Sequence, residues 1–255
     1  MSSLRQKIEN GEKLLGTLVA LTDPSVTEIF GNVGFDYIWI DTEHTAMSYK
    51  DVLCHLNAAR STGTPAIVRV PQNDLTATKK IIDMGPEGII FPMVHNAKEA
   101  NDLVKMTLYP PVGTRGFGPL RAFGYDPAKS GGFIESGHRD MCRFIQIEHV
   151  ECIEELEKIV ENPYIDGYIF GPNDLSGSIG ELGRGGEQNT TDLINKAIKT
   201  LVSKGKYVGL AGGFDVDTIK HWASFGEIKM LTAGGDWNFL FSKGQQVLDD
   251  MKNHF

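Results

Sequence analysis

Glu148 and Asp174 each follow a short apolar run, in Arg143-Phe-Ile-Gln-Ile-Glu148 and Tyr168-Ile-Phe-Gly-Pro-Asn-Asp174. A helical segment of crossover length separates the runs, so they read as parallel strands. In a closed parallel barrel the C-terminal strand ends share one mouth, which makes the two carboxylates neighbours. Bare carboxylates side by side repel unless a proton or a cation joins them. Oxygen ligands at an open site suit a hard divalent ion such as Mg2+ or Mn2+. The structural alternative is that one caps the next helix and the other pairs with an arginine.

Other strand ends add to this set. Asp41-Thr-Glu-His44 closes one apolar run, and Arg69 closes Ala66-Ile-Val68. Histidine is the side chain whose unperturbed pKa lies near neutral, so His44 reads as a general base or acid, or as a hydrogen-bonded structural histidine. Arg69 needs an anionic partner: a salt bridge to Asp41 or Glu43, or a substrate carboxylate or enolate. Gln146 lies two residues before Glu148, so both face the barrel interior. The peptide N–H groups of Asn173 and Asp174 sit at a helix start and suit an anion. The other histidines, His55, His95, His138, His149, His221 and His254, show no ligand spacing. No lysine closes a strand, which argues against a Schiff base. Gly212-Gly213 and Gly234-Gly235 follow the last two strands and read as a phosphate site or as tight turns.

Eight apolar runs must position these groups: 14–21, 37–41, 66–70, 88–94, 142–148, 168–171, 207–211 and 229–233. They are nearly continuous in Val, Ile, Leu and Phe, as strands covered on both faces are. Helical segments lie between them. Asp23-Pro24, Ser48 with Asp51, and Asn96 with Glu99 mark helix starts. Gly34, Gly63, Gly85 and Gly205 mark helix ends. The spacing predicts a single-domain α/β (β/α)8 TIM barrel spanning 1–255, with a last helix over 237–255. The connection from Tyr109 to about Asp140 is long and Gly-rich, and reads as a flap over the mouth or a surface insertion.

Bulk properties narrow the function. The 255 residues suit one barrel. With 25 Lys and Arg against 33 Asp and Glu, the net charge of −8 argues against nucleic acid or an anionic membrane as partner. Three cysteines without a C-x-x-C pair fit a reducing cytoplasm. The start has no apolar leader region and no run approaches membrane-spanning length.

Taken in order, Asp41-Thr-Glu-His44, Val68-Arg69, Pro92-Met-Val94, Tyr109-Pro-Pro-x-Gly-x-Arg-Gly116, Gln146-Ile-Glu148 and Gly171-Pro-Asn-Asp-Leu-Ser176 resemble the HpcH/HpaI aldolases. The resemblance covers nearly the whole chain. It implies a class II aldolase that cleaves a 4-hydroxy-2-keto acid to pyruvate and an aldehyde. Glu148 and Asp174 would hold a divalent cation, Mg2+ or Mn2+ with Co2+ or Zn2+ as alternatives, and no organic cofactor is implied. His44 would be the base, Arg69 would stabilise the enolate, and Asp83 would raise the basicity of His44. Gln146, Asn173 and Asp174 would bind the keto acid. The final helix would be exchanged with a partner subunit in a hexamer of dimers. Asp83 conflicts with the element reading, because it closes a helix at the barrel's bottom. Pro86, 183–189 and 210–214 depart from the family pattern and bear on aldehyde preference. An oxaloacetate-type decarboxylase or CoA-ester lyase is the catalytic rival, and a non-catalytic keto-acid or phosphate-binding barrel the other.

Overall fold

A computed structural model describes residues 3–255, the side chains of 135–138 excepted. The His138 side chain and the first two residues therefore lie outside what is described. The eight expected strands close a parallel barrel in chain order. They are β1 Leu14–Val19, β2 Tyr37–Asp41, β3 Ala66–Arg69, β4 Gly88–Phe91, β5 Cys142–Ile147, β6 Gly167–Phe170, β7 Tyr207–Ala211 and β8 Met230–Gly235. The helices are α1 Leu4–Glu9, α2 Ser25–Val33, α3 Tyr49–Thr62, α4 Leu75–Asp83, α5 Ala97–Thr107, α6 Ser130–Asp140, α7 Val150–Glu154, α8 Leu156–Ile159, α9 Pro172–Ser178, α10 Gln188–Ser203, α11 Val216–Ala223 and α12 Asp236–His254. Among the described residues, no helix is long and apolar enough to cross a membrane.

Local chemistry accounts for the helix ends. Ser48 and Asp51 form the expected capping box. Asn96 caps the Glu99 N–H, but the Glu99 carboxylate turns to the His95 N–H at 2.9 Å, so that box is not closed. Gly34 and Gly63 end α2 and α3 in the left-handed conformation. The sequence reading passed over α1, although Ser3 and Gln6 form a capping box there.

Alternation across the strands builds two cores. In β2, Ile38 and Ile40 pack against the surrounding helices. Tyr37 and Trp39 point inward, with Leu14, Ile67, Ile90, Phe144, Ile169 and Met230. Leu4 of α1 joins this interior cluster, fully buried. The same alternation, carried two residues further, raises Asp41, Arg69 and Gln146 above the apolar layers. Register sets Asp41 beside Arg69.

The connection from Leu108 to Asp140 is not a flap over the mouth. It joins the end of α5 to the start of β5, and both anchors lie at the bottom of the barrel. It is also less irregular than its glycines suggest, since α6 occupies its last third. The Arg121 guanidinium donates to the Met84 carbonyl and, at 2.9 Å, to Asn57 Oδ1. Gly85 has φ +71°, and a Cβ there would come within 2.9 Å of the Ala122 Cα. With the start of β3, this segment encloses a cleft of about 500 Å³. It leaves Phe117, Leu120 and Tyr125 exposed.

Candidate active site

A cavity of about 390 Å³ opens at the mouth, bounded by Asp41, His44, Arg69, Gln146, Asn173 and Asp174. Trp39, Phe214 and Trp237 supply aromatic wall. Among the described residues no lysine lines it.

Arg69 is 7% exposed. Its Nε and Nη2 each donate to Asp41 across 2.8 Å, and Nη1 lies 3.0 Å from Glu43. The salt-bridge alternative is therefore present. Two of the five N–H groups of the guanidinium are hydrogen-bonded, and Nη1 meets Glu43 as an ion pair, which leaves donors for an anion in the cavity. Burial works to lower the Arg69 pKa, but Asp41 and Glu43 more than offset it and the net shift is upward. Burial raises the Glu43 carboxyl, and Arg69 only partly opposes this.

Glu148 is 2% exposed. Its Oε1 accepts the Met93 N–H at 2.6 Å, and its Oε2 accepts Gln146 Nε2 at 2.5 Å. Met93 reaches it from a left-handed backbone, φ 47°, rare for a non-glycine residue. This turn also ends β4 at Phe91, earlier than its apolar run suggests. Gly171 makes room, because a Cβ there would lie 2.8 Å from Glu148 Oε2 and 3.0 Å from Gln146 Nε2. Burial pushes the Glu148 carboxyl up to about 7. The Met93 N–H and Arg69 oppose this shift, and the charges of Glu43 and Asp174 add to it.

His44 is open to solvent, its side chain 67% exposed and its Nε2 3.7 Å from Glu43. Asn173 and Asp174 occupy the first turn of α9, which has no side-chain cap. Their N–H groups are in the position that accepts an anion. Asp83 is not at this mouth. It ends α4 at the bottom of the barrel and accepts Arg115 Nη2 at 2.8 Å. Arg115 in turn stacks over Tyr109, 4.6 Å from the ring centre.

The donor chemistry fits a hard divalent cation. Four carboxylates, Asp41, Glu43, Glu148 and Asp174, meet one arginine among the described residues. Glu148 and Asp174 offer oxygen donors, and a cation there would supply the absent counter-charge. Gln146 Oε1 is buried with no hydrogen-bond partner among the described residues, an acceptor available to a bound molecule.

Some participants went unread in the sequence. The Met93 N–H carries no side-chain signal. Asp236 is buried and accepts the Ala20 and Leu21 N–H groups, tying the end of β8 to the end of β1. Its signal is a carboxylate directly after a strand-end glycine pair. Gly213 and Gly234 both have positive φ beside the cavity, but Gly234 lies within the end of β8 instead of in a turn after it, its N–H donating to the Gly213 carbonyl at 2.8 Å. His95 and His149, which showed no ligand spacing, meet with ring centres 4.3 Å apart. Neighbouring strands β4 and β5 carry them there from far apart in sequence.

The family model of HpcH/HpaI aldolase/citrate lyase matches residues 15–221. A hydroxypyruvate/pyruvate aldolase of Roseovarius nubinhibens is 28% identical over 247 residues, 97% of this chain and 95% of its own. A 2-dehydro-3,6-dideoxy-6-sulfogluconate aldolase of Pseudomonas putida is 34% identical over 200 residues, 78% of each chain. The crystal structure of an HpcH/HpaI aldolase from Desulfitobacterium hafniense superposes with a TM-score of 0.91 at 26% identity, covering 99% of this chain and 97% of that one. With the family model spanning most of the barrel, this chain belongs to the HpcH/HpaI aldolase/citrate lyase family of lyases.

Proposed function

We propose that this lyase is a class II, divalent-metal-dependent aldolase that reversibly cleaves a 4-hydroxy-2-keto acid to pyruvate and an aldehyde. The observation that carries this reading is the buried Glu148, held by Met93 and Gln146 in a mouth with more carboxylates than cations. The two relatives described above are both named as aldolases, one of them for pyruvate.

Glu148 and Asp174 hold the cation, Mg2+ or Mn2+ by donor type. When bound, it supplies Lewis acidity toward a 2-keto group. The first-turn N–H groups of α9 and the Gln146 amide orient the keto acid. For cleavage, His44 takes the proton of the 4-hydroxyl, the C3–C4 bond breaks, the aldehyde leaves, and the electron pair stays on C3 as the pyruvate enolate. Arg69 offers its remaining N–H groups to the enolate charge. His44 then returns its proton to C3, which gives pyruvate and restores the base. In the reverse direction His44 removes a methyl proton from pyruvate.

Asp83 acts on His44 only from a neighbouring chain, since it ends a helix at the bottom of its own barrel. The exposed Phe117, Leu120 and Tyr125 of the adjoining segment support such packing. The exposed Leu240, Phe241, Leu248 and Met251 of α12 support exchange of the last helix within a homo-oligomer.

Pyruvate with a panel of aldehydes, and oxaloacetate in parallel, tests the reading. Aldol turnover should disappear in EDTA and return with Mn2+ or Mg2+. Borohydride with pyruvate should leave the enzyme active, and a lysine adduct with loss of activity would refute class II chemistry. Mixed Asp83→Asn and His44→Ala subunits should regain turnover that neither has alone. Verified mixing without recovery would remove Asp83 from the site.

A further inference from the structure

We propose that His95, His149 and Glu151 form a second divalent-metal site at the rim of the mouth, selective for imidazole-favouring ions such as Zn2+, Ni2+ and Cu2+. His95 follows β4, His149 follows β5, and Glu151 lies in the first turn of α7. His95 Nδ1 lies 3.1 Å from Glu151 Oε2, and His149 Nδ1 lies 3.8 Å from the same oxygen. One ligand atom from each residue falls within 4.8 Å of the other two. Ligand atoms around a tetrahedral zinc stand about 3.3 Å apart, given bonds of roughly 2.0–2.1 Å. Glu151 already stands close to that distance from both rings, so the remaining gap lies between the two imidazoles, and small rotations of these partly exposed rings close it.

His149 Nδ1 accepts the Glu151 N–H at 3.3 Å through its one ring lone pair, so an ion bound at this nitrogen takes the place of that cap. A proton shared between His95 Nδ1 and the Glu151 carboxylate is the one an arriving ion displaces. Helix capping accounts for His149 and Glu151 alone. It does not account for His95, which comes from another strand and sets its ring against His149.

The two sites sort ions by donor atom. Glu148 and Asp174 offer only oxygen, which suits Mg2+ and Mn2+, whereas two imidazoles suit zinc, nickel and copper. A rim ion would tie the loops after β4 and β5, the same loops joined by the Met93 N–H and Glu148.

The test uses metal-stripped protein carrying Glu148→Gln and Asp174→Asn, titrated with Zn2+ against a chromophoric chelator. One Zn2+ per chain should still bind. Adding His95→Ala or His149→Ala should weaken it by at least about tenfold, the least that loss of a supporting group costs a metal site. Cu2+ on the parent variant should show an EPR spectrum coupled to two nitrogens, reduced to one by His95→Ala. The side chains of His95 and His149 are 32% and 24% exposed, so truncation leaves no deep cavity. If the parent variant fails to fold, wild-type protein takes its place: Zn2+ then also enters the carboxylate site, two ions per chain should bind, and His95→Ala or His149→Ala should weaken one of them by the same factor. Absence of Zn2+ uptake, uptake that His95→Ala leaves unchanged, or a copper spectrum without nitrogen coupling overturns the site.

Discussion

At the bottom of the barrel, Arg5 meets Asp166 across 2.7 and 3.0 Å, Asp166 also accepts the Arg143 N–H at 2.8 Å, and Arg115 meets Asp83 at 2.8 Å. Leu4 fills the space above them. At the mouth, Arg69 is the one arginine among the described residues that faces Asp41, Glu43, Glu148 and Asp174. The bottom pairs its carboxylates Asp166 and Asp83 with Arg5 and Arg115 and carries its excess as cation, the buried Arg143 guanidinium donating to Thr107 Oγ1 and the Met141 carbonyl, whereas the excess at the mouth is of carboxylates. Burying an uncompensated carboxylate costs stability. A chain that does so at one end only, beside a cavity, reserves that end for a cation and an anionic substrate.

The contrast can be broken in stages. Glu148→Gln with Asp174→Asn removes the excess charge, and aldol turnover should fall by about 10³–10⁴ or more, the several kcal/mol that a bound metal supplies. Steady-state assay checks this, and thermal unfolding should show the variant no less stable than stripped wild type. Arg69→Lys keeps the charge but loses the fork that meets Asp41 and Glu43. Turnover should fall by about 10²–10³, as for loss of an oxyanion donor.

The third effect is on stability. The Glu148 carboxyl has an ordinary value of 4.5 and stands at about 7 in the fold. Between those values the folded chain holds a proton that the unfolded chain has lost. Raising the pH through this window should therefore lower the stability of stripped protein, by about 3 kcal/mol in total. Denaturant midpoints at pH 4.5 and above 7 measure it, and Glu148→Gln should flatten the slope. The smallest effect is at the other end. Asp166→Asn weakens a partly buried pair and should cost about 1–3 kcal/mol of stability with turnover kept. A large loss of turnover there would erase the distinction between the ends.

Much of this layout was legible in the chain. Continuous apolar runs announced strands covered on both faces, and Asp41, Arg69, Gln146 and Glu148 stood where those runs met water. Period-two alternation then placed Gln146 and Glu148 on one face. Three things were not legible. Loop length does not say which end of a barrel a loop serves, so 109–140 read as a flap until its anchors were traced to α5 and β5. The pairing of β4 with β5 follows from the barrel, but the turning of His95 and His149 toward each other beyond those strands has no local signal. The left-handed Met93 that feeds Glu148 its N–H is a residue type whose propensity opposes that conformation. In contrast, Ser3 and Gln6 did announce α1, but a single short helix before the first strand has no periodicity to support it.

The central claim is that the carboxylates at the mouth hold a divalent ion needed to make the pyruvate enolate. Exchange of the pyruvate methyl protons with D2O, followed by proton NMR without any aldehyde, reports that step alone. Stripped wild-type protein should exchange at the buffer rate, added Mn2+ or Mg2+ should accelerate it by orders of magnitude, and Glu148→Gln with Asp174→Asn should show no acceleration at any metal concentration. Fast exchange by stripped protein, or metal-stimulated exchange by the double variant, would contradict the account.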